Sequence, residues 1–440
     1  MDDPPPFDMS PRHLPLPRVV IIGGGATGLL TSIQLAEAGY GVTVLEKKNL
    51  GNGSTNRSAA CIRSQFSVRE TALGLWWATR FYEQFHNRLE ASDDNRRLPV
   101  IRQNGYLFLY ENGSMEAAQR WADAQTAAVM HQTLGLPVEI LDPREISRRW
   151  PHIVSERLLG ATWGPTDGFL YPANILAIAH ERASALGVSV QLNAEVVGVH
   201  RKEDQISAVV VQRASGETDV IPADVVINAT NAWAPRVSRV LGGMDLAIVP
   251  LKRYLYFITR PENGFSPEAF ERLPMTIYGM TADRGAYSRP EGKSQLMLGW
   301  AHRTSPEPDF SDEDQDKIES GFGHDQGLEN YGVQLLMNVR DFVPELVEHG
   351  GLVATTSGYY ADTPDHTMLI GYDARISNLL HGVGCSGHGL MHAPYTAQSL
   401  LALVAAGEPV YSMMLERDEV SLTTFDPCRS FNHAAESAVI

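Results

Sequence analysis

The chain has 440 residues, of which 43% are hydrophobic and 20% are charged, and its formal net charge is −16. This length exceeds what one compact core usually holds, so two domains are expected, and the composition is that of an ordinary globular protein. The acidic balance disfavours nucleic acid and anionic membrane surfaces as partners, because both attract basic patches.

The first 17 residues are acidic and rich in proline, and they lack the basic start and apolar stretch of a signal peptide. Because proline disfavours helices and strand pairing, we predict a disordered leader over residues 1–17. No apolar run approaches the roughly 18–20 residues that a membrane span needs. The three cysteines, Cys61, Cys385 and Cys428, are too few and too scattered for a disulfide framework or a zinc site. We therefore expect a cytoplasmic protein with no membrane span and no bound metal.

A β-branched run, a glycine-rich turn, an apolar helix and a second strand follow one another between Arg18 and Leu45. Gly23 is expected to make the tight bend, Gly25 to let the backbone approach a pyrophosphate, and Gly28 to let helix and strand pack closely. Free N–H groups at the start of the helix would meet the pyrophosphate charge. Glu46, 18 positions after Gly28, stands where a carboxylate can accept both ribose hydroxyls. This order predicts a Rossmann dinucleotide site for FAD or NAD, and the acid disfavours the phosphorylated ribose of NADP.

Later segments separate FAD from NAD. Residues 53–60, GSTNRSAA, form a small-residue loop suited to wrapping a flavin ribityl chain. Further along stand DGFLYPANILAIAHERA (167–183), AEVVGV (194–199), DVVINATNAWAP (224–235), SGYYADTPDHTMLIG (357–371) and LLHGVGCSGHGLMHAPYTAQSLLALVAAG (379–407). This series resembles the D-amino-acid-oxidase/glycine-oxidase/sarcosine-oxidase superfamily of FAD-dependent oxidoreductases, and within it the sarcosine oxidase β-subunits and dimethylglycine-dehydrogenase-like proteins. The SGHG-x-x-x-AP segment carries the resemblance most specifically.

The resemblance implies a fold of class α/β plus α+β, in which a Rossmann-type FAD-binding domain is interleaved with an antiparallel-sheet substrate domain. The FAD domain would comprise residues 18–95, 150–245 and 350–440, and the substrate domain residues 96–149 and 246–349. Period-two patterning predicts strands at 194–199 and 208–212, in a meander near the adenine, and at 253–259 and 294–300, in the substrate domain.

The resemblance also implies which residues contact FAD. They are Gly23, Gly25, Ala26, Thr27, Gly28, Glu46, Lys47, Ser54, Thr55, Arg57, Ser58, Val197, Ala229, Thr230, Trp233, Gly387, His388, Gly389, Leu390 and Met391. Arg57 stands where dimethylglycine-dehydrogenase-like proteins carry a flavin-linked histidine, and Gly358 stands near the flavin-linked cysteine of monomeric sarcosine oxidases. Neither nucleophile is present, so non-covalent FAD is expected.

The segment 382–387 also fits GxGxxG, but no second strand with an acidic end follows it. A separate NAD site is therefore not expected there. The resemblance instead implies that this turn, and the helix beginning near Leu390, lie beside the flavin pyrimidine ring. The helix N-terminus would stabilise the negative charge of the reduced flavin.

A further set of residues is expected to serve the reaction itself. Arg63 matches the arginine that holds the substrate carboxylate in sarcosine-oxidase-like enzymes, and a guanidinium fork suits that group. His388 is expected either against the flavin edge or as a structural cap of its turn. Met297 stands where monomeric sarcosine oxidases carry an oxygen-activating lysine, and it also fits a core methionine. The candidates for lining the pocket are Tyr256, Tyr360 and His302, with ordinary packing as the alternative for each.

The resemblance implies an FAD-dependent amine or amino-acid oxidase or dehydrogenase. The leading interpretation is oxidation of the C–N bond of a secondary or tertiary amine, an N-alkyl or cyclic amino acid, to an imine by hydride transfer to flavin N5. Oxygen, giving hydrogen peroxide, or an electron carrier would be the acceptor, and a partner subunit or a homo-oligomer is compatible with this interpretation. Two alternatives stay open: a 2-hydroxy-acid dehydrogenase of the same superfamily, and a non-catalytic flavin-binding assembly factor or subunit.

Overall fold

The computed structural model describes residues 16–262, 264–281, 285–300, 310–311, 313–316, 331–348, 350–431 and 436. Of the predicted leader, only residues 16 and 17 are described. His302, a predicted pocket residue, lies outside the described residues.

The helices of the described residues are α1 Ala26–Glu37, α2 Arg69–Glu83, α3 Phe85–Arg88, α4 Met115–Thr133, α5 Pro143–Arg149, α6 Pro172–Ala185, α7 Ala234–Leu241, α8 Pro267–Glu271, α9 Tyr331–Arg340, α10 Pro344–Val347 and α11 Gly389–Ala406. The strands are β1 Arg18–Ile22, β2 Gly41–Leu45, β3 Cys61–Ile62, β4 Ile101–Arg102, β5 Tyr106–Glu111, β6 Glu139–Leu141, β7 Leu158–Gly164, β8 Gly168–Leu170, β9 Ser189–Gln191, β10 Ala194–Lys202, β11 Gln205–Arg213, β12 Thr218–Pro222, β13 Val225–Asn228, β14 Val249–Thr259, β15 Met275–Tyr278, β16 Ala286–Glu291, β17 Gln295–Trp300, β18 Leu352–Asp362, β19 Leu369–Tyr372, β20 Leu379–Val383, β21 Ser412–Leu415 and β22 Asp418–Ser421.

The first large sheet has six strands in the order β19-β20-β13-β1-β2-β9, and all are parallel except β19. Alternate residues of β1 point to opposite faces of this sheet. Val19 and Ile21 belong to the core formed with α1, α6 and α11. Val20 and Ile22 belong to the core formed with the strands β10 and β11. Because this strand is buried on both faces, every position after Arg18 is apolar.

Strands β10, β11 and β12 form an antiparallel meander over one face of the first sheet. The predicted strands at 194–199 and 208–212 are confirmed within β10 and β11. A bulge interrupts the pairing of these two strands between Val196 and Gly198. Val197, at this bulge, and the glycine-rich turn that follows β1 line the same cavity.

The second large sheet has eight strands in the order β18-β14-β17-β16-β15-β5-β7-β6, antiparallel except where β15 meets β5. The predicted strands at 253–259 and 294–300 are confirmed within β14 and β17. One face packs on α8, α9 and α10 in a core that contains Tyr256, and the other face carries the cluster of Tyr106, Leu255 and Tyr287. β7 and β18 come from segments that the sequence placed in the FAD domain, and they join this sheet as antiparallel partners of β5 and β14.

The predicted fold class is confirmed, with a Rossmann-type parallel sheet and a largely antiparallel sheet built from interleaved segments of one chain. The domain boundaries themselves stay a prediction. Within the part of the chain that the structure describes, no helix has both the length and the apolar character needed to cross a bilayer.

Candidate active site

One cavity, the central cavity, has a volume of about 400 Å³ and extends between the two large sheets. This volume lies within the range of about 300–1,000 Å³ that is typical of cofactor and small-molecule sites. Its meander end is lined by residues 45–48, 194–197 and 236–240, and its SGHG end by residues 57–61, 253–255, 358–360 and 385–391, with gaps. Every predicted cofactor residue except Gly28 lines it.

The turn between β1 and α1 opens a helix N-terminus toward the central cavity. Gly23 has a φ of 112°, which favours glycine, and a Cβ added at Gly28 would lie 1.9 Å from the carbonyl oxygen of Gly23. Helix and strand can therefore approach this closely only because position 28 has no side chain. α1 begins after Gly25 without a side-chain cap and without an acidic residue in its first turn. Its N–H groups and positive dipole end consequently face the cavity at Ala26 and Thr27.

Glu46 stands at the end of β2, where the predicted ribose contact lies. Its Oε2 accepts a hydrogen bond from the backbone of Gly24 at 2.7 Å, and its Oε1 accepts one from the backbone of Lys48 at 2.8 Å. A carboxylate has about four acceptor positions, so the group that holds the turn can also accept from ribose hydroxyls. The neighbouring Lys47 pairs with Glu195 of β10 at 3.2 Å.

Trp233 supplies a buried donor to the wall of the central cavity. It ends the short 3₁₀ turn Asn231–Trp233, shortly after Ala229 and Thr230, which follow β13. The indole Nε1 is buried and has no hydrogen-bond partner among the described residues. A buried donor in this state costs about 1–3 kcal/mol, which a ligand acceptor can recover.

The loop over residues 54–58 lies against the start of α1, as the predicted ribityl loop should. Thr55 Oγ1 accepts a hydrogen bond from the backbone of Ala26 at 3.4 Å, and Ser58 Oγ donates to the carbonyl of Thr55 at 3.2 Å. Ser54 Oγ donates to the carbonyl of Tyr359 at 2.6 Å and so ties this loop to β18. Arg57 packs at the same place, because a Cβ at Gly358 would lie 3.0 Å from the Cβ of Arg57.

The SGHG turn presents a second helix N-terminus at the far end of the central cavity. Ser386 and Gly387 have φ values of 42° and 87°, so the chain reverses sharply before α11. α11 begins at Gly389 without a side-chain cap and without an acidic residue in its first turn. Gly387 is also required sterically, because a Cβ there would lie 2.3 Å from the ring of Tyr360.

Burial keeps the histidine, the cysteines and the tyrosine of the SGHG end neutral. Burial, with the nearby Arg63 cation, lowers the pKa of His388 well below its usual value. Burial raises the pKa of Cys61 and of Cys385 to about 11 and raises the pKa of Tyr360. Among the described residues, the acids that line the central cavity are Glu46 and Glu195, both at the meander end.

Arg63 lies behind the cavity wall and not in it. Its side chain is 0% exposed, and its guanidinium carbon lies 3.7 Å from the centre of the Phe66 ring. It donates to the carbonyl of Gln65, and its Nη2 lies 3.4 Å from Nε2 of His388. His388 therefore stands between Arg63 and the central cavity, so the predicted carboxylate contact of Arg63 would need a movement of this histidine.

Strand alternation separates the other predicted reaction residues. Tyr360 of β18 lines the central cavity, as predicted. Tyr256 does not, because it belongs to the core on the opposite face of the second sheet, and we correct its assignment as a pocket residue. Met297 is 3% exposed and packs in the same cluster as Tyr106, Leu255 and Tyr287, on the face of the second sheet that meets the cavity, but it does not itself line the cavity.

Several cavity residues were not predicted from the sequence. Arg253, Tyr287 and Gln315 line the SGHG end, and Gln315 is 1% exposed. The period-two pattern of residues 253–259 predicted a strand, but it has aromatic or apolar residues on both faces. Only knowledge of which face meets the flavin domain would have selected Arg253 over Tyr256. No motif or periodic pattern in the sequence indicated that Gln315 would line the cavity.

The sequence pattern of the DAO family, described as FAD dependent oxidoreductase, matches residues 18–403 of the chain. The chain belongs to this family. It is 27% identical to FAD-dependent oxidoreductase domain-containing protein 1 of Xenopus laevis, over 92% of this chain and 84% of that protein. It is also 27% identical to mitochondrial sarcosine dehydrogenase of Mus musculus, over 93% of this chain but only 42% of that protein.

A solved structure supports the fold. The L-proline dehydrogenase from P. horikoshii superposes with a TM-score of 0.75 at 24% identity, over 94% of this chain and 98% of that one. The chain is accordingly a DAO-family oxidoreductase, and its cofactor is FAD.

The residues of the central cavity fit FAD in this DAO-family chain. Two helix N-termini without acidic first turns face it, one at each end of the expected cofactor, and the buried Trp233 N–H offers a donor between them. α1 would hold the pyrophosphate, the loop at 54–58 the ribityl chain, and α11 the pyrimidine edge. When bound, FAD supplies the acceptor for a hydride.

Proposed function

We propose that the enzyme oxidises the C–N bond of a secondary or tertiary amine, an N-alkyl or cyclic amino acid, to an imine. Bound FAD would accept the hydride from the C–H bond next to the nitrogen. The resulting iminium ion would lose its N–H proton to solvent where it carries one, giving the imine, and water would then hydrolyse it to a carbonyl compound and an amine. Two of the similar proteins, sarcosine dehydrogenase and L-proline dehydrogenase, are named after an N-methyl and a cyclic amino acid, which supports this substrate class.

The electrostatics of the SGHG end carry this proposal. An amine can lose a hydride only when its nitrogen is neutral, so an amine oxidase must disfavour the ammonium form. Arg63 and Arg253 are buried there, His388 is neutral, and the described acids of the cavity lie at the other end. A substrate ammonium group at this end would meet like charge in a region of low dielectric constant, which lowers its pKa.

The acceptor, the mode of FAD attachment, the subunit composition and the compartment belong to the same proposal. Oxygen, with hydrogen peroxide as product, or an electron carrier would reoxidise the enzyme. We expect FAD to be held non-covalently, with Arg57 and Gly358 at the positions where linked relatives carry a nucleophile. A cytoplasmic location and a partner subunit or homo-oligomer remain predictions from the sequence.

Anaerobic flavin reduction tests the proposal. The purified holoenzyme is mixed with N-methyl amino acids, cyclic amino acids, D- and L-amino acids and 2-hydroxy acids, while flavin absorbance at about 450 nm is followed. We expect bleaching by an N-alkyl or cyclic amino acid, and recovery in air at a rate that separates oxidase from dehydrogenase. If only 2-hydroxy acids bleach the flavin, the enzyme oxidises a C–O bond and not a C–N bond. If no compound bleaches the bound flavin, the result would contradict a catalytic role and support the non-catalytic alternative.

A further inference from the structure

Arg253 places a buried cation in the wall of the SGHG end. The residue is 7% exposed and lies on β14, on the same face as Leu255, and both side chains line the central cavity. Its Nη1 donates to the carbonyl of Lys252 at 3.2 Å, and its guanidinium carbon lies 5.1 Å from the centre of the Tyr360 ring. Because the surroundings have a low dielectric constant, this cation interacts strongly with an anion that enters the cavity.

The other buried arginines nearby are directed elsewhere. Arg63 stacks on Phe66 and lies behind His388. Arg289 donates from Nε to the carbonyl of Ala59 at 2.8 Å and pairs with Glu291 at 2.7 Å. Neither arginine is among the described residues that line the central cavity. Among the buried arginines of this end, position therefore favours Arg253 as the cation that meets a substrate. The half-buried Arg57 also lines this end, but its Nε donates to the backbone carbonyl of Asn52 at 3.4 Å, and it is predicted to contact FAD.

Two phenols stand beside Arg253 in the same wall. Tyr287 and Tyr360 line the cavity, and their phenols lie close enough for each to influence the pKa of the other. Burial raises the pKa of both, so both stay protonated at working pH. A guanidinium fork next to neutral hydroxyl groups matches a carboxylate, which accepts several hydrogen bonds and prefers charged donors.

We propose that Arg253 binds the carboxylate of the substrate, with the Tyr287–Tyr360 hydroxyl pair beside it, and that the enzyme thereby selects amino acids over amines without a carboxylate. This inference rests on the proposed oxidation of an amino acid. It assigns the carboxylate to the second sheet at β14, in place of the sequence-based expectation that Arg63 holds it.

Binding of a matched acid and amide tests the proposal without turnover. The probes are pyrrole-2-carboxylate, which resembles a cyclic amino acid but has no oxidisable C–H bond next to nitrogen, and pyrrole-2-carboxamide, which lacks the charge. Each is titrated into the holoenzyme, and the change in flavin absorbance gives Kd. We expect the wild type to prefer the acid, and Arg253→Met to weaken binding of the acid by about tenfold or more, as expected when a charged hydrogen bond is lost. Binding of the amide should change little.

Lys252→Met is the matched control, since Lys252 is also buried on β14 but points to the opposite face, beside Tyr254. This variant should keep the wild-type preference for the acid. Arg253→Lys retains the charge without the fork and should lose part of the affinity. It also keeps the test open if Arg253→Met does not fold.

Other results would overturn the inference. A preference for the acid that survives in Arg253→Met but disappears in Arg63→Met would return the carboxylate to Arg63. Loss of FAD from folded Arg253→Met, measured as the flavin-to-protein ratio, would assign the arginine to the cofactor. Equal binding of acid and amide by the wild type would remove the carboxylate site altogether. Bleaching of the wild type by N-alkyl amino acids together with unchanged Arg253→Met binding would leave the proposed function standing and refute this inference alone.

Discussion

Asp167 lies behind the segment that carries Arg63, and it is fully buried. It accepts hydrogen bonds from the backbone N–H and the hydroxyl of Ser64 and from Nε2 of Gln65. Burial raises its pKa from 3.8 to about 7, although these hydrogen bonds and the Arg63 cation act in the opposite direction. In the folded protein this carboxyl therefore binds a proton more tightly than in the unfolded chain.

The pH dependence of stability follows from that pKa. The contribution of Asp167 is fully present below a pH of 3.8 and is lost as the pH rises to about 7. We expect the free energy of unfolding of the wild type, relative to Asp167→Asn, to fall by up to about 4 kcal/mol between pH 4 and pH 7. Urea unfolding of both holoenzymes at several pH values measures this difference. The exposed Asp93→Asn serves as control, and a difference that is constant with pH would contradict the prediction.

At Gly28, the absence of a Cβ atom allows helix α1 to pack closely against the turn that follows β1. A Cβ at this position would meet the carbonyl oxygen of Gly23, whereas a Cβ at Gly41 on β2 would meet nothing within 4 Å. We expect Gly28→Ala to lower stability by about 1–3 kcal/mol through overpacking and to reduce the flavin-to-protein ratio after purification. Gly41→Ala should keep both properties near wild type. Full flavin content in Gly28→Ala would show that the turn tolerates a wider helix–strand separation.

At the level of elements, β14 divides its side chains between two environments. Arg253 and Leu255 line the central cavity, while Tyr254 and Tyr256 enter the core beneath α9 and α10. The alternation is a property of any strand, and the face that meets the cavity is set by pairing with β17 and β18. A shift of one residue in this pairing would exchange the two sets.

The facing of β18 and of β14 predicts different effects for a tyrosine on each strand. Tyr360→Phe removes a hydroxyl from the cavity wall and should lower kcat/KM by about tenfold, since a hydrogen bond to the charged substrate group is lost. Tyr256→Phe should leave the rate of anaerobic flavin reduction within about twofold of wild type, because surface or core changes away from the site rarely alter chemistry directly. Stopped-flow reduction with the best substrate of the panel measures both variants. A comparable loss of reduction rate in both variants would mean that Tyr256, and not Arg253, is on the face of β14 that meets the cavity.

At the scale of the whole molecule, the central cavity joins parts of the chain that are far apart in sequence. Its lining extends from Ile22 to Met391 and draws on both large sheets. FAD bound there would contact elements of both sheets, so its binding should favour the folded state of both.

Two measurements check this coupling. Excess FAD should raise the Tm of flavin-depleted enzyme in one transition, with a stabilisation of about 2.7 kcal/mol when free FAD is a hundredfold above Kd. Unfolding in acid should then release all of the yellow colour into the supernatant, since the cofactor is expected to be non-covalent. Two separate transitions, of which only one responds to FAD, would show that the sheets unfold independently. Flavin retained on the precipitated chain would point to a covalent bond.

The site residues that the sequence predicted most successfully are those with a local signature. The turn at Gly23–Gly28, the acid at Glu46 and the SGHG turn each combine a short motif with a neighbouring strand or helix, and they converge on one cavity. The reaction residues were predicted less well. Arg63 has a local match but lies behind His388, and Tyr256, a candidate for lining the pocket, packs in the core instead.

The amino-acid sequence alone determined the family, the cofactor and the Rossmann βαβ unit, because those depend on contacts within short stretches of chain and on strands whose two buried faces require apolar residues. The tertiary structure decided which side chains meet the substrate. The facing of β14 depends on pairing with β18, about 100 residues later in the chain, and the burial of Arg63 and the position of Gln315 depend on contacts with segments distant in sequence. Period-two alternation leaves two facings equally possible until a partner strand selects one.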